Sequence, residues 1–200
     1  MLYKFTKRVF DILFSLTVLT LLFFPMLLIS LLIKVSSKGP ILYDWKVVGK
    51  NGVFFNSFKF RTMVSNADEL KEELKTKNEM SGPFFKMKND PRITWIGSIL
   101  RKFSLDELPQ FISVLQGSMS VVGPRPPLQS EFKNFSDFQK KKLAVKPGIT
   151  CLWQVEGRNN INDADEWIEK DLEYISKRSF IFDISIILRT IFTVFKGTGK

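Results

Sequence analysis

The chain has 200 residues, enough for one domain with a core, and its charged fraction of 25% is that of an ordinary folded protein. Lys and Arg outnumber Asp and Glu by 30 to 20, so the net charge of +10 predicts an anionic partner such as nucleic acid, a phosphorylated substrate or an acidic lipid headgroup. The single cysteine, Cys151, excludes an intrachain disulfide, and the absence of histidine excludes thiolate–imidazole and hydroxyl–imidazole catalysis.

An uncharged apolar run, ILFSLTVLTLLFFPMLLISLLI, covers residues 12–33. As a helix it would be about 33 Å long, just enough to cross a bilayer core and too long for a signal peptide. Pro25 removes one backbone hydrogen bond and predicts a kink against the carbonyl of Leu21. Cations flank the run on both sides, so charge gives no orientation. The residues alone leave a spanning helix and a re-entrant helix equally open.

The remainder predicts a mainly helical α+β domain with one small β-hairpin. Asn51-Gly52 tolerates positive φ at both turn positions and separates strand-like residues 41–48 from residues 53–61. Lys59 and Arg61 project together from one face of the second strand. Helices are predicted over residues 66–77, 94–103, 104–117, 129–143, 162–177 and 180–195, and loops over residues 82–91 and 121–128. The last helix is predicted to be either buried in the core or interfacial on a membrane.

The stretch SLDELPQ places the adjacent carboxylates Asp106 and Glu107 at the start of a predicted helix. Ser-x-x-Glu is a capping box, and acids in a first turn suit the helix dipole, so the local pattern by itself favours a structural role. A catalytic role gains weight only from the arginines that surround the pair in sequence.

Four arginines lie in or beside stretches rich in glycine and proline: Arg92, Arg101, Arg125 and Arg158. A rigid loop places a guanidinium well for bidentate contact with phosphate. Each arginine alone is an ordinary surface charge. Together around an acidic pair they predict a phosphate site that contains a carboxylate, which would either bind a divalent cation or attack phosphorus.

Four stretches occur in order along the chain: KRVFD (residues 7–11), FNSFKFRTM (55–63), NDPRITWIGSILRKFSLDELPQFISVLQGSMSVVGPRP (89–126) and KPGITCLWQVEGR (146–158). Together they resemble the bacterial sugar transferase family, the monotopic phosphoglycosyl transferases, in its minimal form. The resemblance implies a proline-broken re-entrant membrane helix in residues 1–38, and a catalytic domain with a C-terminal interfacial helix in residues 39–200. That domain would lie on the cytoplasmic face of the inner membrane.

The resemblance also implies transfer of a phosphosugar from a UDP-sugar to undecaprenyl phosphate, with Mg²⁺ as cofactor. Asp106 would be the nucleophile, and Glu107 would bind Mg²⁺ with it and assist proton transfer. Arg125 is the first choice for phosphate binding, followed by Arg92, Arg101, Arg158, Lys59 and Arg61. Membrane lipids are the other expected partner and nucleic acid is not expected, while the sugar and the oligomeric state stay open.

The sequence departs from the family pattern at Phe24, Lys46, Ser118 and Cys151. Cys151, with apolar neighbours, is expected to fill the core. Two alternatives remain: a membrane-anchored binding protein that keeps the fold without catalysis, and a basic nucleic-acid-binding protein. Turnover that depends on Asp106 would exclude the first, and salt-sensitive nucleic-acid affinity without turnover would favour the second.

Overall fold

The computed structural model describes residues 2–156, 161 and 163–197, where short helices surround two small sheets. The helices are α1 (Leu2–Leu21), α2 (Phe23–Ser36), α3 (Ala67–Glu73), α4 (Trp95–Lys102), α5 (Gln110–Gln116), α6 (Gln129–Phe132), α7 (Asp137–Lys140), α8 (Leu152–Glu156), α9 (Ala164–Lys177) and α10 (Phe180–Lys196). The strands are β1 (Leu42–Val48), β2 (Phe54–Phe60), β3 (Ser120–Val122) and β4 (Gly148–Thr150). Single 3₁₀ turns cover Lys50–Gly52, Lys75–Lys77, Leu105–Glu107 and Lys141–Ala144. The predicted mainly helical α+β class is confirmed.

The predicted hairpin is present as the antiparallel pair β1–β2, with Trp45 opposite Ser57. Asn51 and Gly52 both have positive φ, 57° and 79°, as the turn requires. The buried Ser57 hydroxyl lies 2.9 Å from the Ser113 hydroxyl, which joins β2 to α5. This face of β2 therefore looks into the protein, and it carries Lys59 toward the centre of the molecule.

Two predictions in the second half of the chain were wrong in detail. The single helix expected over residues 129–143 is broken into α6, α7 and a 3₁₀ turn, because Ser136 and Gln139 form a capping box that starts a new helix. The extended segments near residues 121 and 148 contain β3 and β4, a parallel pair with Val122 opposite Thr150. Strands of three residues are too short for any periodicity to predict.

The N-terminal apolar run bends between α1 and α2. The helices meet at an angle of 62°, and the non-helical residue is Leu22 (φ −97°, ψ 9°). The predicted kink therefore lies three residues before Pro25, which occupies the first turn of α2, where a missing N–H costs no helical hydrogen bond. No single helix in the described part is long and apolar enough to cross a membrane; the bent pair passes that test jointly, by length and composition only.

The KRVFD motif on α1 is bound to the rest of the protein by side-chain contacts. Lys7 Nζ lies 2.8 Å from Asp183 Oδ2 on α10. Arg8 donates at 2.6 and 2.8 Å to the last carbonyls of α5, Val114 and Leu115, where the helix dipole favours a cation. The buried Asp11 accepts from the Ser120 hydroxyl and the Val121 N–H at the start of β3. The boundary at residue 38 stays a prediction.

The main apolar core lies between α1, α5, β3 and α10. Phe10, Phe14 and Val18 of α1 pack against buried residues that include Phe111 and Ile186. The opposite side of α10 is exposed and apolar, with Ile181 82% and Phe195 81% accessible. One side of this helix thus belongs to the core, as one of the two predicted roles requires, and the other side presents phenylalanine and isoleucine outward; the interfacial role on a membrane stays a prediction.

We expect Gly148→Ala to destabilise the fold by about 1–3 kcal/mol, because the added Cβ would overlap the backbone nitrogen of Gly123 on the neighbouring strand. That backbone is held by hydrogen bonds of Gly123 to Thr150 and of Gly148 to Pro124, so it has little room to move. Thermal unfolding of the detergent-solubilised chain measures the loss. The matched control is Gly49→Ala, whose Cβ meets the Phe55 ring at 3.0 Å and the Val53 carbonyl oxygen at 3.4 Å, and an equal loss in both variants would contradict the assignment.

Candidate active site

The acidic pair lies on a strained turn between α4 and α5. Ser104 has a left-handed backbone (φ 53°), which a residue other than glycine seldom adopts, and its side chain makes no capping hydrogen bond. The following 3₁₀ turn carries Asp106 and Glu107, and α5 begins only at Gln110. The predicted helix from residue 104 and its capping box were therefore wrong, although the helix ends at Gly117 as predicted. The capping-box role expected for Ser104 is therefore absent.

Asp106 and Glu107 both line a cavity of about 460 Å³ that is surrounded by cations. Lys59 on β2 donates to Glu107 Oε1 at 2.7 Å, and its ammonium lies 4.0 Å from the centre of the Trp45 ring. The side chains of Lys59 and Glu107 are only 18% and 17% exposed, so water screens their attraction less than it would at the surface. Lys59, predicted as a phosphate-binding cation, thus lies beside the acidic pair and is paired with Glu107, and its contact with phosphate stays a prediction.

Arg125, in the stretch GPRP, enters the same cavity from the loop that follows β3. Its Nη1 atom is buried and donates no hydrogen bond within the described part of the chain; Glu131 Oε2 lies 3.5 Å away. A buried guanidinium nitrogen without an acceptor is unfavourable unless a ligand supplies one. Arg125 is therefore the arginine whose geometry suits an anionic ligand best.

The loop that carries Arg125 rests on a buried ion pair. Lys142 Nζ lies 2.5 Å from Asp171 Oδ2, and both side chains are almost fully buried. Burial raises the pKa of Asp171, partly offset by the charges of Lys142 and Arg125. Asp171 thus places a buried carboxylate beside the GPRP segment, paired with Lys142.

Arg92 and Arg61 line the cavity but are engaged by the protein itself. Arg92 donates to both oxygens of Asp90, at 2.8 and 2.6 Å, and also to the Ala67 carbonyl. Burial alone would raise the pKa of Asp90, but the hydrogen bonds and charge of Arg92 hold it below its usual value. Arg61 donates to the Lys38 and Ser37 carbonyls, just after the C-terminal end of α2. Both guanidiniums hold loops in place.

Of the other two predicted arginines, the structure describes only Arg101. Arg101 lines the cavity from α4, and its Nε donates to the Thr62 hydroxyl at 2.9 Å. Arg158 lies outside the described residues. The cavity also contains residues that sequence reasoning missed, among them Lys86 and Lys88 from the loop predicted over residues 82–91. Their signal was available, since both lie beside Asn89-Asp90-Pro91 in a stretch with the same glycine and proline character as those around the arginines.

The acidic pair suits a hard divalent cation. Among the described residues no cluster of three or more carboxylate, thiol or imidazole groups could hold a metal. Mg²⁺ typically keeps several waters and binds through one or two carboxylates together with substrate phosphates. Two adjacent carboxylates in a cavity that also offers Arg125 to phosphate fit that donor set, whereas a closed all-protein cage does not.

The sites where the chain departs from the family pattern lie away from this cavity. Ser118 donates its hydroxyl to the Ser113 carbonyl in the turn after α5 and does not line the cavity. Lys46 is exposed on β1, and Phe24 is 78% exposed on α2. Cys151 is buried as expected, and burial raises the pKa of its thiol well above the usual value, which makes it unreactive.

A family model described as bacterial sugar transferase matches residues 2–197, nearly the whole chain. The chain belongs to the bacterial sugar transferase family. Within the family it is 49% identical over 161 residues to the galactosyl transferase CpsE of Streptococcus agalactiae, a match that covers 80% of this chain and 36% of the relative. It is 40% identical to the exopolysaccharide production protein ExoY of Rhizobium meliloti, covering 97% of this chain and 87% of the relative.

A third sugar transferase relative is the undecaprenyl-phosphate galactose phosphotransferase of Salmonella typhimurium, 41% identical over 98% of this chain and 42% of its own length. The chain thus spans less than half of CpsE and of the Salmonella protein, but most of ExoY. The part that all of these proteins share with this chain contains the α4–α5 turn and the GPRP loop.

We expect Arg92→Ala to destabilise the protein by about 3–5 kcal/mol, because it leaves the Asp90 carboxylate buried without its partner. Arg92→Lys should recover only part of the loss, since an ammonium cannot make the bidentate contact. The measurement is thermal unfolding without substrate. Lys88→Ala, which removes an exposed cation from the same cavity, is the control and should leave stability unchanged. An Arg92→Ala protein of normal stability that has lost only nucleotide-sugar affinity would instead make Arg92 a ligand.

Proposed function

We propose that the chain transfers a phosphosugar from a UDP-sugar to undecaprenyl phosphate, releasing UMP. The observation that carries the proposal is the adjacent carboxylate pair in a cation-lined cavity that Arg125 also lines, with a buried Nη1 that makes no hydrogen bond in the described part of the chain. The names of relatives support the substrates: one is a UDP-galactose-lipid carrier transferase, another an undecaprenyl-phosphate galactose phosphotransferase. These are the initiating reactions of polysaccharide or glycoprotein glycan synthesis at a membrane.

In the first step, a carboxylate oxygen of Asp106 attacks the β-phosphorus of the UDP-sugar. The bond from that phosphorus to the bridging oxygen breaks, and UMP leaves with the bridging oxygen. The phosphosugar is then joined to Asp106 as a mixed anhydride. Arg125 would bind the phosphate that is transferred, because it lines the same cavity as Asp106 and its Nη1 makes no hydrogen bond within the described part of the chain.

In the second step, a phosphate oxygen of the lipid attacks the phosphorus held by Asp106. The phosphorus–Asp106 bond breaks, the carboxylate is regenerated, and the product is the undecaprenyl diphosphate sugar. Glu107 is placed to accept any proton the acceptor phosphate carries, since it adjoins Asp106 and Lys59 keeps it in the cavity. Asp106 and Glu107 would also hold Mg²⁺, which neutralises charge on the phosphates when bound.

We further propose that α1 and α2 form a re-entrant membrane hairpin and that the active site faces the cytoplasm. The 62° bend and the exposed apolar side chains of both helices, such as Phe5 and Phe24, support this placement. Lysines at both ends of the run, Lys4 and Lys38, are exposed, as expected of ends that return to the same charged membrane surface.

Asp106→Asn should reduce UMP release by about a thousandfold or more, because it removes the nucleophile and leaves the shape of the site intact. The measurement is UMP release by purified protein given undecaprenyl phosphate, Mg²⁺ and a panel of UDP-sugars one at a time. Release should also stop when a chelator removes the divalent cation. Incubation with the UDP-sugar alone should add the mass of one phosphosugar to the peptide that contains Asp106.

The control for that experiment is Asp68→Asn, which removes an exposed carboxylate from the same cavity and should leave turnover unchanged. Full turnover by Asp106→Asn would reject the covalent mechanism. Undiminished binding of UDP-sugars without release of UMP from any of them would favour a catalytically inactive binding protein. Salt-sensitive binding of RNA or DNA by a protein without turnover would favour the nucleic-acid alternative.

Cysteines introduced at Lys4 and Lys38 should both react with a membrane-impermeant maleimide only from the cytoplasmic side. The background is Cys151→Ala, which removes the single native thiol, and inverted and right-side-out vesicles give the two sides. Labelling of the two positions from opposite sides would show a spanning helix and overturn the re-entrant hairpin.

A further inference from the structure

A second cavity lies on the other side of the turn that carries the acidic pair. Its volume is about 260 Å³, and it is enclosed by α1, α8, α10 and the turn itself. Glu107 and Gln154 line both this cavity and the cation-lined one, whereas Asp106 lines only the latter. The two cavities therefore meet at Glu107.

The wall of the second cavity consists mainly of apolar side chains, and its threonine and glutamine side chains are hydrogen-bonded to other protein groups. Three threonines line it: the Thr150 and Thr190 hydroxyls lie 2.6 Å apart and bond to each other, Thr190 also donates to the Ile186 carbonyl, and Thr193 donates to the Arg189 carbonyl. The Gln154 side-chain oxygen accepts from the Cys151 N–H. A water molecule needs two to four polar partners, and these groups already have theirs. The cavity thus suits an apolar occupant better than water.

The rim of this cavity continues into an exposed apolar surface. Ile191 and Phe195 of α10 line the cavity and are 44% and 81% accessible, and Val18 and Leu22 line it from the opposite side. An occupant that enters over this rim would come from an apolar phase. At the inner end it would meet Glu107 and the cations beyond it.

We infer that the second cavity binds the first two isoprene units of the polyprenyl phosphate acceptor, with the phosphate projecting past Glu107 into the cation-lined cavity. The inference rests on the proposed function. An apolar cavity of about 150 Å³ accommodates benzene, so about 260 Å³ suits roughly ten carbons, or two isoprene units. A polar headgroup on one side and a branched hydrocarbon on the other match the junction of the two cavities.

The test fills the cavity without touching the acidic pair. In Ile191→Trp the indole takes the space of the isoprene units, and the KM for undecaprenyl phosphate should rise about tenfold or more. Leu188→Trp is the matched control, because Leu188 is on the same helix, is similarly exposed at 54%, and does not line the cavity. Exchange of labelled UMP into the UDP-sugar, which needs no lipid, should be retained in both variants.

A readout without turnover separates this inference from the proposed function. A polyprenyl phosphate with a diazirine on its second isoprene unit should label α8 or α10 on irradiation, and Ile191→Trp should lose that label. Labelling confined to the outer face of α2, or an unchanged KM in an Ile191→Trp protein that still exchanges UMP, would overturn the inference. A protein that shows no exchange but labels α10 would reject the covalent mechanism and retain the lipid site.

Discussion

The Lys59–Glu107 ion pair connects the hairpin to the turn on which both carboxylates lie. On the same face of β2, two residues before Lys59, the Ser57 hydroxyl is hydrogen-bonded to the Ser113 hydroxyl of α5. The strand is thus attached to the turn through Lys59 and to the following helix through Ser57. The ammonium of Lys59 is also held over the Trp45 ring, which leaves it little freedom to leave the acid. A pair shielded to this degree keeps its attraction at salt concentrations that weaken exposed pairs. The contacts of Glu107 and Ser113, which follow Ser104 in the chain, thus help to hold the left-handed backbone of Ser104 in place.

The arginines show why sequence could predict the chemistry of the site but not the role of each residue. Arg92, Arg101, Arg125 and Arg158 lie in or beside glycine- and proline-rich stretches, and that shared context gave one prediction for the four, while the family resemblance put Arg125 first and Arg61 last. The structure separates the arginines by their partners: Arg61 binds carbonyls that follow α2, Arg92 is held by nearby Asp90 and distant Ala67, and Arg125 Nη1 makes no hydrogen bond in the described part of the chain. Only tertiary contacts decide whether a guanidinium holds a loop or a ligand.

The parts of the fold that sequence predicted depend on local rules. Asn51-Gly52 specifies a hairpin turn, and Gly117 ends α5 with φ 89°, because the backbone itself limits which residues fit there. The parts that it missed depend on packing at a distance. β3 and β4 are three residues each and are bound in parallel across a long stretch of chain. The bend at Leu22, in contrast, follows a local rule, because it directly follows Leu21, whose carbonyl the Pro25 ring was predicted to displace.

The position of α1 links the apolar N-terminal helices to the candidate active site. Its contacts through Lys7, Arg8 and Asp11 are directed at α10, α5 and β3, which surround the apolar cavity or adjoin it. These contacts are polar and directional, so they set the angle of α1 more narrowly than apolar packing alone would. A substrate with a charged head and a hydrocarbon tail cannot place its phosphate in an apolar cavity or its tail among cations without a large desolvation penalty. It can react only where the two environments adjoin, and α1 forms one wall of the apolar side. A shift of α1 would therefore change the access of the acceptor before it changed the contacts of Asp106, because the helix lines the apolar cavity and does not line the other.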